Sequence, residues 1–163
     1  MRSQFIPLLD VPWEYRVELT FTDEALRSLR NSHLMADPSR MTYTKFIRQI
    51  AVALGLNIGA AHVFVEAGHD ARPHAHVLLI GRDKAGRVLS SFTVNQIAKC
   101  WPYGVAHVQR VDVVEAAVGY LEANCRQGKD SFNLSGYRVL EQWMPSQPPQ
   151  KRGTHRKDTP PWD

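Results

Sequence analysis

The chain has 163 residues, 44% of them hydrophobic and 22% charged, with a formal net charge of +4 and a pI near 9.3. That length suits one domain with a proper core, and the basic balance is compatible with a nucleic-acid partner without requiring one. Cys100 and Cys125 stand far apart without CxxC spacing, which argues against a disulfide framework or zinc knuckle. No signal-peptide pattern opens the chain and no apolar run nears the ~18 residues of a membrane span, so the expectation is a soluble intracellular protein with no membrane partner.

In chain order, residues 1–12 read as an irregular lead-in ended by Pro12. In WEYRVELTFT, Tyr15, Val17, Leu19 and Phe21 alternate with Glu14, Arg16, Glu18 and Thr20, the period of a half-buried strand. TDEALRSLR starts a helix, with Thr22 as N-cap and Asp23 and Glu24 in its first turn. NSHLMADPSR reads as loop, and MTYTKFIRQIAVALG as a second helix with Gly55 at the C-cap. AAHVFVEAG and HAHVLLIG are strands; GHDARP joins them, Pro73 biases Arg72 toward an extended conformation, and an antiparallel hairpin follows. GRDKAGR is an exposed turn, and TVNQIAKCW a short helix starting near Thr93 that PYG breaks. VAHVQRV is another strand, and DVVEAAVGYLEANCRQG a helix with Asp112 as N-cap.

The predicted order is strand, helix, helix, strand, strand, helix, strand, helix. It gives an α+β domain over residues 1–144, an antiparallel sheet with flanking helices in which the β-α-β-β-α-β pattern of ferredoxin-like folds is recognisable. Residues 145–163, PSQPPQKRGTHRKDTPPWD, are proline-rich and basic, and are predicted to be a disordered tail.

The stretch VEAGHDARPHAHVLLIG, residues 65–81, concentrates chemistry: Glu66, His69, His74 and His76 run directly into an apolar strand. Residues two apart on a strand share a face, so His74 and His76 present their imidazoles side by side, and neutral imidazole is a common ligand of divalent metals. Glu66, on the neighbouring strand, would complete a facial set of three ligands and leave coordination positions open. His62 and His69 read as sheet-surface and loop residues. A bare HxH pair also suits a half-exposed surface. Tyr120 lies mid-helix among Val113, Val114, Ala117, Val118 and Leu121, and shares a helix face with Asn124 four residues on. By itself it reads as a core or rim tyrosine.

Taken in order, VELTFT, VEAGHDARPHAH and VGYLEAN resemble the three motifs of HUH endonucleases, among them the rolling-circle replication initiators of single-stranded DNA viruses, phages and plasmids. The His, hydrophobic, His element is His74, Ala75, His76; the acidic ligand of several viral initiators lies eight positions before the first histidine, as Glu66 does here (74 − 66 = 8), and RP precedes the pair. The resemblance covers most of residues 14–130. It implies that Mn²⁺ or Mg²⁺ on Glu66, His74 and His76 holds the scissile phosphate. Tyr120 attacks to form a 5′-phosphotyrosine, leaves a free 3′ hydroxyl that primes replication, and a reverse transfer joins the ends. A lysine usual three residues after the tyrosine is Ala123 here. Single-tyrosine transposases of the superfamily place an amide ligand four after the tyrosine, which makes Asn124 a further candidate ligand.

The implied partner is single-stranded DNA or an origin hairpin; this sequence carries no GxxxxGK[ST] motif, and whether a helicase acts in trans stays open. Candidate phosphate contacts are Arg72, Arg82, Lys84, Arg87, Arg110, Arg126 and Lys129; candidate base-stacking rings are Tyr43, Trp101 and Tyr103. For each arginine a solvated face, and for Trp101 closure of the core, are the bland alternatives. Two rival functions stay open: a single-strand DNA transposase, and a DNA-binding module with the same fold but weakened turnover, which Ala123 favours.

Overall fold

The computed structural model describes residues 1–31, 38–65, 72–125 and 131–144. The alternation in YRVELT becomes strand β1, Tyr15–Thr20, with Tyr15, Val17 and Leu19 buried and Arg16, Glu18 and Thr20 half-buried on the opposite face. Strands β2 (Asn57–Val65), β3 (His74–Arg82), β4 (Ala106–Arg110) and β5 (Ser131–Ser135) complete a five-stranded antiparallel sheet in the order β4-β1-β3-β2-β5. Strand β3 is central, and its interior residues are buried on both faces, which is why HAHVLLIG runs apolar instead of alternating.

The protein is α+β, with helices on both faces of this sheet. One face carries Tyr15, Val17, Leu19, Ala60, Val77 and Leu79; against it pack α1 (Asp23–Asn31), α2 (Pro38–Leu54) and α3 (Val94–Ala98) through Leu29, Phe46, Ile50 and Ile97. The other face carries Val63, Leu78 and Ile80; α4 (Val114–Asn124) and α5 (Tyr137–Leu140) pack on it through Val118, Leu121, Val139 and Leu140. Local signals start and stop several of these helices as expected. The Thr22 hydroxyl accepts from the Ala25 N–H at 3.2 Å, Gly55 takes φ +67°, and Thr93 forms a full capping box with Gln96.

Four local expectations are corrected. Residues Ser3–Asp10 are a 3₁₀ helix, not an irregular lead-in; Phe5 and Leu8 are fully buried, and the Trp13 indole donates to the Leu8 carbonyl at 2.9 Å. Helix α2 already begins at Pro38, inside the stretch read as loop. Strand β2 begins at Asn57, three residues before the predicted strand. Asp112 does not cap α4: Val113 holds that position with no side-chain bond to the helix. Strand β5 and α5 were not predicted. Gly136, between them, takes φ +72° and lies so close to β2 that a Cβ would sit 1.9 Å from the Ile58 carbonyl oxygen. Residues 145–163, predicted to be a tail, lie outside the described residues.

The start of β1 is tied to the end of β3 by a carboxylate. Glu14 accepts from the Gly81 N–H at 2.9 Å, the Arg82 guanidinium at 2.7 Å, and the Ser90 and Leu89 N–H groups at 3.0 and 3.3 Å. Its side chain is 8% exposed. Among the described residues no helix is long and apolar enough to cross a membrane.

Candidate functional site

The polar face of β1 sets the geometry. Antiparallel pairing aligns Gln109, Arg16 and Leu78 in one cross-strand row, His107, Glu18 and His76 in the next, and Thr20 with His74 in a third. Helix α4 covers the apolar part of this face, over β3 and β2. Tyr120, on the flank of α4, hangs over the polar rows. Its ring centroid is 5.1 Å from that of His76 with the planes at 89°, and the Arg16 guanidinium lies 5.3 Å from the Tyr120 centroid. Arg16, Glu18, His76, His107, Gln109 and Tyr120 line a cleft of about 260 Å³, with Leu78, Ala117 and Leu121 as apolar wall. Tyr120 is 39% exposed, so the phenol faces this opening and not the packed interior.

His76 is 3% exposed, and neither ring nitrogen has a hydrogen-bond partner among the described residues. Burial first, then the neighbouring His74, hold its pKa below the ordinary value, with Glu18 opposing. The ring is therefore neutral at pH 7, and its unpaired buried nitrogens are costly unless something binds them. His74 lies edge-on to His76 with centroids 4.9 Å apart. Its Nδ1 donates to the Arg72 carbonyl at 2.9 Å, which orients the ring. Neutral imidazole nitrogens of this kind are common donors to divalent metals. Glu66, the third predicted ligand, and His69 lie outside the described residues; among the described residues no three His, Cys, Asp or Glu side chains are arranged to hold a metal.

The Tyr120 phenol is raised above its ordinary pKa, chiefly by burial and next by the Glu18 carboxylate, while Arg16 pulls the other way. It is protonated at neutral pH. Asn124 does not line the cleft: its Nδ2 donates to the Tyr120 carbonyl at 2.8 Å, one turn back along α4. The spacing does put the two on one side of the helix, but the backbone carbonyl captures the amide.

Two predicted base-stacking rings are corrected. Tyr43 is 4% exposed and stacked 3.6 Å from His62; Trp101 is 5% exposed, donates to the Thr20 carbonyl at 2.9 Å and packs edge-on to Phe21 and Phe46. Neither offers a ring face to solvent. Tyr103 is half-buried against Trp101. Most predicted phosphate-binding arginines already have partners: Arg72 with Asp23 at 3.3 Å, Arg82 with Glu14, Arg87 with Asp83 at 2.5 Å, and Arg110 with the Ser90 carbonyl at 2.9 Å. Lys84 is exposed, and Arg126 and Lys129 lie outside the described residues. The sequence reading missed Arg16, Glu18, His107 and Gln109 as site residues. For Arg16 and Glu18 the signal was present in the even-numbered positions of β1, which read only as the polar side of a half-buried strand.

His76 makes stability pH-dependent with a definite sign. Because its folded pKa is lowered from 6.5, the unfolded chain takes up the proton first; the contribution is complete above the unfolded value and is lost as pH falls toward the folded one. The melting temperature of metal-free protein should fall between about pH 7.5 and about pH 5.5. The His76→Gln variant, compared by calorimetry over the same range, should show a shallower decline.

Comparison with protein-family profiles, with curated proteins and with solved structures finds no match. The functional reading therefore rests on the residues and their geometry.

Proposed function

We propose that this chain is a metal-dependent DNA nicking and joining domain of the HUH type, closest in character to a rolling-circle replication initiator. The observation that carries the reading is the seating of Tyr120 over the buried, unpartnered imidazole of His76 in a solvent-open cleft. The strand order β4-β1-β3-β2, with β5 added at the β2 edge, supports the ferredoxin-like pattern that the resemblance implies.

In this reading the Tyr120 phenolic oxygen attacks a phosphodiester phosphorus. The new O–P bond forms as the P–O3′ bond breaks; the electron pair leaves on O3′, which takes a proton, and the phenol loses its own. The exchange of one ester for another keeps the bond energy in the phosphotyrosine, so rejoining needs no nucleotide cofactor. His74 and His76, with Glu66, are the residues that would hold Mn²⁺ or Mg²⁺, which when bound offsets the charge developing on the phosphate oxygens. His76, fixed by the interior of β3, sets where that charge is met relative to Tyr120.

Incubation with a pool of labelled single-stranded oligonucleotides and Mn²⁺, read on a denaturing gel, should yield a protein–DNA adduct; absence of any adduct across the pool refutes the nuclease reading. His74→Ala should weaken Mn²⁺ binding, measured by calorimetry without DNA, by more than the ~10–100-fold that loss of an outer partner costs. A binding module with lost turnover is the second reading, and Ala123, exposed on α4 where initiators carry lysine, favours it. That module would shift single-stranded DNA without ever becoming linked to it.

A further inference from the structure

Arg16 lines the Tyr120 cleft without the carboxylate partner that Arg2, Arg72, Arg82 and Arg87 each have. Its Nε donates to Gln109 Oε1 at 2.7 Å across the β1–β4 pair, and among the described residues no carboxylate reaches ion-pair distance of it. Arg82, Arg87 and Arg72 are each neutralised by an aspartate or glutamate. The Gln109 amide oxygen is uncharged, so it orients the guanidinium without cancelling its charge. The Arg16 side chain belongs to the wall of the cleft that Tyr120 overhangs, with its guanidinium 5.3 Å from the Tyr120 ring centroid. A planar, always-charged fork held this way suits bidentate recognition of a phosphate.

Position along the strand says which phosphate. His76 faces Glu18, and Arg16 lies two residues back along β1, facing Leu78. At the rise of a strand this offset is about 7 Å. His74, facing Thr20, lies a similar step on the other side. Arg16, Glu18 and Thr20 therefore mark three successive rows under Tyr120, with His76 beside Glu18 in the middle row and His74 in the third. Glu18 adds negative charge to the middle row, and the Arg16 row is the anion-favouring end of the cleft.

We propose that Arg16, oriented by Gln109, anchors a backbone phosphate of single-stranded DNA next to the one Tyr120 attacks, so that the strand runs along β1 across the open half of the sheet. The inference rests on the nuclease reading for the identity of the attacked phosphate, but the anchor itself is a binding property. It needs no base contact, so it fixes register and orientation and leaves sequence choice to other residues.

The test uses the full chain carrying Tyr120→Phe, so that binding is read without turnover, and fluorescence anisotropy of a labelled mixed-sequence 20-mer across a salt series. Adding Arg16→Gln should weaken binding about tenfold and reduce the salt slope by about one. Arg16→Lys should restore the slope but only part of the affinity, because it keeps the charge and loses the fork. Gln109→Leu should weaken binding less, leave the slope unchanged, and lose further affinity when Arg16→Gln is added. One neutral methylphosphonate stepped along the strand should cost affinity at one position in the Arg16 protein and nothing at that position in Arg16→Gln. Unchanged affinity and slope in both Arg16 variants would overturn the anchor. Should Arg16→Gln fail to fold, Arg16→Lys and the methylphosphonate scan on the otherwise unaltered chain decide it alone: a uniform scan refutes it. In parallel, the chain with Tyr120 intact is assayed for adduct. An adduct with no effect of Arg16 on binding leaves the nuclease reading standing and removes the anchor; a lost salt slope with no adduct does the reverse.

Discussion

Tyr120→Phe should remove the covalent adduct entirely while leaving the fold and the affinity for single-stranded DNA nearly intact. The two properties separate because of where the ring sits. Phenylalanine keeps the edge-to-face packing on His76 and the face presented to Arg16, both of which depend on the ring and not on the hydroxyl. The residue is 39% exposed and losing its hydroxyl gives up a hydrogen bond to the Glu18 carboxylate, so the stability cost should be about 1 kcal/mol. Loss of the attacking oxygen, by contrast, leaves no nucleophile at that place, and adduct formation should fall by several orders of magnitude. A denaturing gel and a melting curve on the same preparation check both halves. An adduct that survives in Tyr120→Phe would move the chemistry to another residue and end the assignment.

Glu14→Ala should carry the largest stability cost of any polar substitution proposed for this chain, about 3–5 kcal/mol in a denaturant titration. The carboxylate is almost fully enclosed and gathers three backbone N–H groups, of Gly81, Leu89 and Ser90, and the Arg82 guanidinium around two oxygens. Its removal strands those donors and leaves a half-buried cation with Gly81's carbonyl as its remaining hydrogen-bond acceptor. Each stranded donor costs ~1–3 kcal/mol, an upper range that local rearrangement and water reduce. Glu14→Gln should cost less, because it keeps the shape and one full acceptor. Its new NH₂ must still face N–H donors. Glu14 stands two residues before Arg16 on the chain and bonds the segment after β3, so the loss should show as a lower unfolding midpoint with an unchanged slope. A midpoint shift corresponding to under about 1 kcal/mol would mean that water replaces the carboxylate there.

The elements whose cause is local were legible without coordinates. Alternation in YRVELT, the Thr22 and Thr93 caps, the Gly55 stop and the histidine pair one residue apart are all decided within a few residues, by sterics and nearest hydrogen bonds. The α+β class followed from them, because strands and helices alternate in an order that an antiparallel sheet can accommodate. The imidazoles were named from strand period and Tyr120 from motif order, while the distance between them was beyond reach.

What tertiary structure decided is everything that depends on which residue faces which across the sheet. Whether Glu18 stands beside His76 or beside Val77 turns on register, and a shift of one residue would reverse every side chain of β1. Nothing within VELT specifies its partners: they come from β3 and β4, which lie far along the chain. The same holds for Tyr43 and Trp101, aromatic residues whose composition suits a nucleic-acid surface but which the packing of α2 and α3 against the sheet turned inward. Burial of Phe5 and Leu8 under a short 3₁₀ helix is likewise a long-range outcome, since that segment has no period of its own and is held by the apolar face it covers. Short-range chemistry wrote the pieces; the free energy of closing one apolar sheet between two sets of helices chose their neighbours, and with them the cleft.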